Sequence, residues 1–222
     1  RAVLAVSAHW YVTGTRVTAQ PRPRTIHDFG GFPDELFAVQ YPAPGDPELA
    51  AAVAGLLAPV PVAQDTSWGL DHGTWSLLVH LYPEADVPVV QLSIDTALSP
   101  AGFTSLAAGL RPLRDDGVLV LGSGNVVHNL RAYDWSGTAQ GRAHEWTERF
   151  DAQVRERALG GDLPGLVDYP AMGRDALLSV PTPEHYLPLL AVLALRHDDE
   201  PVSFPVAGFD GGSISMLGVQ VG

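Results

Sequence analysis

Ala2-Val3-Leu4-Ala5-Val6-Ser7-Ala8-His9 follows Arg1 at the start of the chain. Residues 2–8 are almost continuously apolar, with no alternation of polar and apolar positions. A short run of this kind reads as a strand covered on both faces, as in a parallel or mixed sheet. It ends on a histidine, and in open α/β sheets ligands bind beyond the carboxyl ends of the strands. A chain that enters a central strand directly, without methionine, predicts a further strand-helix unit before Arg1.

Working outward, Val87 to Ile94 and Gly117 to Leu121 repeat the apolar pattern. Val202 to Val206 and Ser213 to Val221 read as closing strands. Helical signals lie between them. Asp46-Pro47-Glu48 is a cap, a first-turn proline and a first-turn acid, opening a helix to about Leu57. Gly73 to Leu81 reads as a short helix with Trp75, Leu78 and Val79 inward. Ser99-Pro100 opens a helix to about Leu110. Gly141 to Leu159 carries Trp146, Phe150 and Val154 on one stripe. Thr182-Pro183-Glu184 opens a helix to about Leu195, with His185 in its first turn. Residues 20–46, rich in Pro, Gly and Asp, read as a long ordered loop. Strands alternating with helices predict an α/β fold, a single domain over residues 1–222 with a mostly parallel or mixed central sheet flanked by helices.

The formal charge is −12, from 13 arginines and no lysine against 25 acids. That balance repels phosphate backbones, so nucleic acid and anionic membranes are excluded as partners. No apolar run reaches the ~18–20 residues that span a bilayer. The absence of cysteine removes disulfides and thiolate metal sites together and fits a reducing, cytoplasmic setting.

Four of the eight histidines follow turn or strand-end signals: His9, His72, His128 and His185. This spacing predicts imidazoles gathered around one metal, and imidazole suits zinc, copper, iron and nickel alike. His72, between Asp71 and Gly73, is either a solvated residue at a capped helix start or an acid/base group acting near neutral pH. Glu184 is an alternative ligand to His185, since neighbouring helical side chains diverge. His27 lies on the long loop, where it lines a pocket or faces water. His80 and His144 read as helix-face residues and His197 as a solvated turn. Gly-x-Ser-x-Gly, the phosphate loop and His-Glu-x-x-His are all missing, which argues against a serine hydrolase built on Ser123.

Six motifs then occur in one order. They are Ser7-Ala8-His9-Trp10, Thr25-Ile26-His27-Asp28-Phe29-Gly30-Gly31-Phe32-Pro33, Tyr41-Pro42-Ala43-Pro44-Gly45-Asp46-Pro47, Trp68-Gly69-Leu70-Asp71-His72-Gly73-Thr74-Trp75, Gly122-Ser123-Gly124-Asn125-Val126-Val127-His128-Asn129-Leu130 and Thr182-Pro183-Glu184-His185-Tyr186-Leu187-Pro188-Leu189. Together they resemble the 4,5-DOPA extradiol dioxygenases, a branch of the class III (protocatechuate 4,5-dioxygenase type) ring-cleaving enzymes. The resemblance runs the length of the chain.

It implies an extradiol dioxygenase that opens a substituted catechol such as L-DOPA with O2 at a mononuclear non-haem iron(II), a site that zinc(II) also occupies in purified proteins. By resemblance His9 and His185 are metal ligands. His128 is a further ligand or the base that deprotonates the catechol, and His72 stands near the substrate as a second catalytic histidine. His27, Trp10, Phe32 and Tyr186 are the candidates to bind the aromatic ring, with Phe29 a further candidate to flank it; core packing is the alternative for each of Trp10, Phe29, Phe32 and Tyr186, and at least two of those four are expected in the core. The Gly-His-Gly motif that normally supplies another ligand on the family's first strand does not occur in residues 1–222. The rival readings are a zinc-dependent hydrolase and a non-catalytic metal-binding α/β module on the same scaffold.

Overall fold

Eleven residues of unbroken extended chain, Ala2–Val12, form the strand around which the rest of the sheet is laid. The structure, a computed structural model, describes residues 1–139 and 141–222. Residues Arg1–Ser99 with Gly109–Ser123 make one compact unit, and Pro100–Ala108 with Gly124–Gly222 make a second.

The first unit holds the sheet. Its strands are β1 (Ala2–Val12), β2 (Thr15–Thr18), β3 (Arg24–Thr25), β4 (Val62–Asp65), β5 (Gly69–Leu70), β6 (Val89–Asp95) and β7 (Val118–Ser123). The main sheet runs β4-β2-β6-β1-β7. β1 is parallel to β6 and to β7, and β2 is parallel to β4 but antiparallel to β6. The sheet is therefore mostly parallel, as the apolar runs predict. Val3, Leu4, Ala5 and Val6 are buried because β1 is central and covered on both faces.

Helices α1 (Asp34–Phe37), α2 (Pro47–Leu56), α3 (His72–Leu81) and α5 (Pro112–Asp115) belong to the same unit. The predicted cap of α2 is present: Asp46 Oδ1 accepts the Leu49 N–H at 2.9 Å, with Pro47 in the first turn. Trp75 and Leu78 of α3 pack with Val3, Leu70, Tyr41 and Val89 in one apolar cluster. The Trp75 indole N–H donates to the Ile26 carbonyl at 2.8 Å, so burying the ring leaves no unpaired donor.

The long loop contains structure that the Pro/Gly composition hides. β3 pairs in parallel with β5, and α1 follows it. Gly69 is required there, since a Cβ would lie 2.2 Å from the Arg24 carbonyl oxygen.

The second unit contains α4 (Pro100–Ala108), α6 (Glu145–Gly160), α7 (Leu163–Val167), α8 (Arg174–Ser179) and α9 (Leu187–Ala194). It also holds β8 (Val202–Val206), β9 (Phe209–Asp210), β10 (Ile214–Ser215) and β11 (Gly218–Val221), which pair as antiparallel ribbons β8–β11 and β9–β10. The inward stripe of α6 is Thr147, Phe150, Asp151, Val154 and Ala158. Trp146, predicted on that stripe, is only half-buried and stacks on His144 at 5.4 Å. His144 itself is the residue preceding α6 rather than part of a helix face.

Two boundaries differ from the sequence reading. β1 does not end at His9 but continues to Val12, with a shift of register against β6 between Val6 and Tyr11. α9 starts at Leu187, so His185 lies in the turn before the helix. The Pro183 carbonyl accepts from Tyr186 and Leu187, closing that turn before regular helix begins. Among the described residues no helix is long and apolar enough to cross a membrane.

Candidate active site

His9 stands where β1 leaves its regular ladder. Pairing with β7 runs in register to Ser7 opposite Ser123, the last residue of β7, and the register with β6 shifts over the next residues. Freed from both ladders, the chain turns the imidazole of His9 out at the carboxyl end of the sheet. The irregularity is held by the His9 N–H, which donates to Ser7 Oγ at 3.2 Å.

α3 brings its first residue to the same place. Asp71 caps the helix, its Oδ1 accepting the Thr74 N–H at 3.1 Å. The other oxygen takes the Gln91 side-chain amide, and Gln91 Oε1 accepts the Thr74 hydroxyl at 3.0 Å. Asp71, Thr74 and Gln91 are all fully buried, so the start of the helix is tied to β6 by a closed polar network. Gly73 then allows close contact. A Cβ there would lie 2.6 Å from Ser7 Oγ, 2.8 Å from His9 Cδ2 and 3.0 Å from Ser123 Oγ. The His9 and His72 rings come to 3.9 Å between centroids, tilted by 50°.

The third member is Asp28, on the loop held down by the β3–β5 pair. Its Oδ1 accepts the His72 backbone N–H at 2.9 Å and lies 2.9 Å from His72 Nδ1. The ring contact is short but lies off the N–H direction and does not make a hydrogen bond. Oδ2 lies 3.5 Å from His9 Nδ1. Burial alone would raise the Asp28 carboxyl, but the His72 ring and backbone N–H outweigh it and hold it below the usual carboxylate value. The nearest ligand-type atoms of His9, Asp28 and His72 all lie within 4.8 Å of one another. Imidazole and carboxylate donors suit iron(II) or zinc(II), so His9 stands among donors of the kind a divalent metal takes.

Asp28 escaped the sequence reading. Its only local signal is a carboxylate beside His27 in an aromatic loop, and its partner lies 44 residues away.

In the second unit His128 and His185 form a pair of their own. The rings stack at 3.5 Å between centroids with planes 5° apart. The His128 N–H donates to the Ser179 carbonyl at 2.9 Å, and the His185 carbonyl accepts the Asn125 N–H at 2.8 Å. Gly124 permits that approach, because a Cβ would lie 2.2 Å from the His185 carbonyl oxygen. Glu184, the alternative ligand, accepts the Thr182 hydroxyl at 2.7 Å.

The residues expected to bind the aromatic ring fall into two groups. His27 and Phe32 lie in an aromatic cluster beside His72. His27 is 5.9 Å from Phe29, Phe29 meets Phe32 edge-on at 5.5 Å, and Phe29 meets His72 edge-on at 5.3 Å. Phe32 is 56% exposed. Trp10 and Tyr186 are core residues. Trp10 is buried and stacked flat on Trp68 at 5.4 Å. Tyr186 is fully buried against Phe150 and Tyr169, with its hydroxyl donating to the Leu166 carbonyl at 3.2 Å. Neither ring presents a free face to a substrate, because each is already covered by other side chains. Ser123 is likewise structural, its hydroxyl donating to the Gly73 carbonyl at 2.6 Å.

Residues 1–209 match the family described as the catalytic LigB subunit of aromatic ring-opening dioxygenase. This chain belongs to the LigB family. The LigB relatives include the 4,5-DOPA dioxygenase extradiol of Escherichia coli K12, 46% identical over all of this chain and 82% of that protein. The 4,5-DOPA dioxygenase extradiol of Beta vulgaris is 34% identical over 97% of this chain and 80% of its own length. A crystal structure of an uncharacterized protein of E. coli K12, JW3007, superposes with a TM-score of 0.86 at 42% identity, covering 100% of this chain and 86% of that one. The chain is thus an extradiol ring-cleaving dioxygenase, and membership of the LigB family implies a metal cofactor and a small-molecule substrate consumed with O2.

Proposed function

We propose that residues 1–222 act as one catalytic domain that opens a substituted catechol, such as L-DOPA, at the bond beside its diol. The cofactor in this reading is a mononuclear non-haem iron(II), with zinc(II) able to take its place in purified protein. The observation that carries the reading is the cluster of His9, His72 and Asp28 at the carboxyl end of the sheet in a LigB-family chain. His9 and His185 are assigned as metal ligands. His128 is assigned as a further ligand or the base, and His72 as the second catalytic histidine. The support is the donor chemistry of the four imidazoles and their match to the family's motifs.

Iron(II), if held by His9 and His185, would supply Lewis-acid and redox chemistry for the catechol and O2. The chain's own residues do the rest. A neutral imidazole takes a hydroxyl proton from the catechol and returns it as the ring opens, which is the role of a general base poised near neutral pH. His27, Phe29 and Phe32 give the substrate ring an apolar edge to lie against. The net negative charge of the chain offers no general attraction for anions, so selection of a catechol rests on this local pocket chemistry.

The test is reconstitution with ferrous iron under anaerobic conditions, followed by air and a panel of catechols. Oxygen uptake with a yellow semialdehyde product is the expected result. No uptake with any catechol overturns the reading. Metal analysis of protein purified without chelator or added metal, paired with that oxygen-uptake assay, separates an iron oxygenase from a zinc hydrolase.

A further inference from the structure

We infer that Asp28 is a positioning residue for His72: its carboxylate sets the orientation and the tautomer of that imidazole. The inference rests on the proposed ring-cleaving reading for its consequence, but not for its geometry. One oxygen, Oδ1, accepts the His72 backbone N–H and also lies 2.9 Å from its Nδ1. Main chain and ring of one residue are thus gripped by one atom, which fixes the side-chain torsion between them. A carboxylate oxygen 2.9 Å from Nδ1 makes no aligned hydrogen bond with it, but at that distance it repels a lone pair there, which favours the tautomer with the proton on Nδ1 and the lone pair on Nε2. Phe29 closes the arrangement edge-on at 5.3 Å and restricts ring rotation.

Asp28 is held in its turn. Its loop is fixed by the Ile26 N–H donating to the Leu70 carbonyl at 2.7 Å and by the Trp75 indole on the Ile26 carbonyl. The His72 end is fixed by the Asp71–Gln91–Thr74 network behind it. The grip on His72 is therefore part of the scaffold. Oδ2 stands further from His9, at 3.5 Å, near the outer limit of a hydrogen bond, which is why the role is assigned toward His72.

Carboxylates behind metal-ligating histidines fix tautomer and ring orientation, and their loss costs about 10–100-fold in activity or metal affinity; a loss of the same order is expected where the oriented imidazole is a base. Asp28→Ala is expected to lower kcat by that factor of about 10–100 with little change in KM, and to retain its metal. The direct readout is the ring 15N spectrum of His72 in the metal-free and zinc-loaded chain. The wild type should show a protonated Nδ1 and a bare Nε2, and Asp28→Ala should lose that preference. Asp28→Asn keeps an oxygen on the His72 backbone N–H and beside Nδ1, so it should keep the tautomer and most of the turnover.

Should Asp28→Ala fail to fold, Asp28→Glu moves the carboxylate by one methylene and is expected to lose the same spectral signature. Unchanged His72 ring signals in the Ala and Glu variants would overturn the inference. So would metal loss in Asp28→Ala as complete as in His9→Ala, since Asp28 would then be a ligand. If wild-type protein consumes no oxygen with any catechol, the ring-cleaving reading fails alone, and the 15N spectra still decide the role of Asp28.

Discussion

The imidazoles of His128 and His185 lie face to face, 3.5 Å between centroids and within 5° of parallel. They are 57 positions apart in the chain, and the turn at Gly124-Asn125 and the carbonyl of Ser179 bring them together. Stacked in this way, the two rings can each turn a nitrogen toward one cation. His185→Ala is expected to abolish metal retention. His128→Ala is expected to keep more metal but lose turnover. Metal analysis beside oxygen uptake checks both, and equal metal loss in the two variants makes His128 a ligand rather than a base.

Gly73 is a helical glycine at which alanine should do harm. In an exposed helix Gly→Ala stabilises by up to about 1 kcal/mol. Here the added methyl would meet Ser7 Oγ at 2.6 Å and His9 Cδ2 at 2.8 Å. The expected result is a net loss of about 1–3 kcal/mol in denaturant unfolding. Lower activity should accompany it, because the side chain displaced is His9. A variant as stable and as active as the wild type would show that this contact is slack.

Asp65 gives a pH dependence with a defined sign. Burial raises its carboxyl, but the Trp68 N–H, the Ser67 hydroxyl and N–H, and Arg16 outweigh burial and hold it below the ordinary value. A carboxyl whose folded value is depressed contributes stability above its unfolded value, and that contribution is lost as pH falls through the folded one. The wild type should therefore lose stability more steeply than Asp65→Asn below about pH 4, and the two curves should run parallel above it. Urea titrations across that range make the comparison.

Tyr186→Phe separates packing from substrate binding. The hydroxyl donates to the Leu166 carbonyl inside the core, and burial, the largest influence, pushes it far above its ordinary pKa. Its removal is expected to cost about 1 kcal/mol of stability and to leave KM for the catechol unchanged. A marked rise in KM with unchanged stability would restore the substrate role that the sequence suggested.

The apolar run at residues 2–8 was enough to announce a central strand, because burial on both faces leaves no polar position in the pattern. The cap at Asp46-Pro47 was legible because capping is a contact between residues three apart. His72 could be singled out for the same reason, since its helix start is marked by its own neighbours, whereas β1 runs on past His9 to Val12. β3 and α1 were hidden in the loop, and β5 lay unmarked beyond it, since pairing of Arg24 with Gly69 leaves no periodic trace in either segment.

What the sequence by itself determined is the class of fold, the central strand and the capped helix starts, since each is written in neighbouring residues. What only the tertiary structure decided is which groups those imidazoles meet. The carboxylate of Asp28 beside His72, the stacking of His128 on His185, and the burial of Trp10 and Tyr186 all depend on residues distant in the chain. Periodicity and capping arise from local backbone geometry, whereas side-chain contacts arise from packing, which no local pattern encodes.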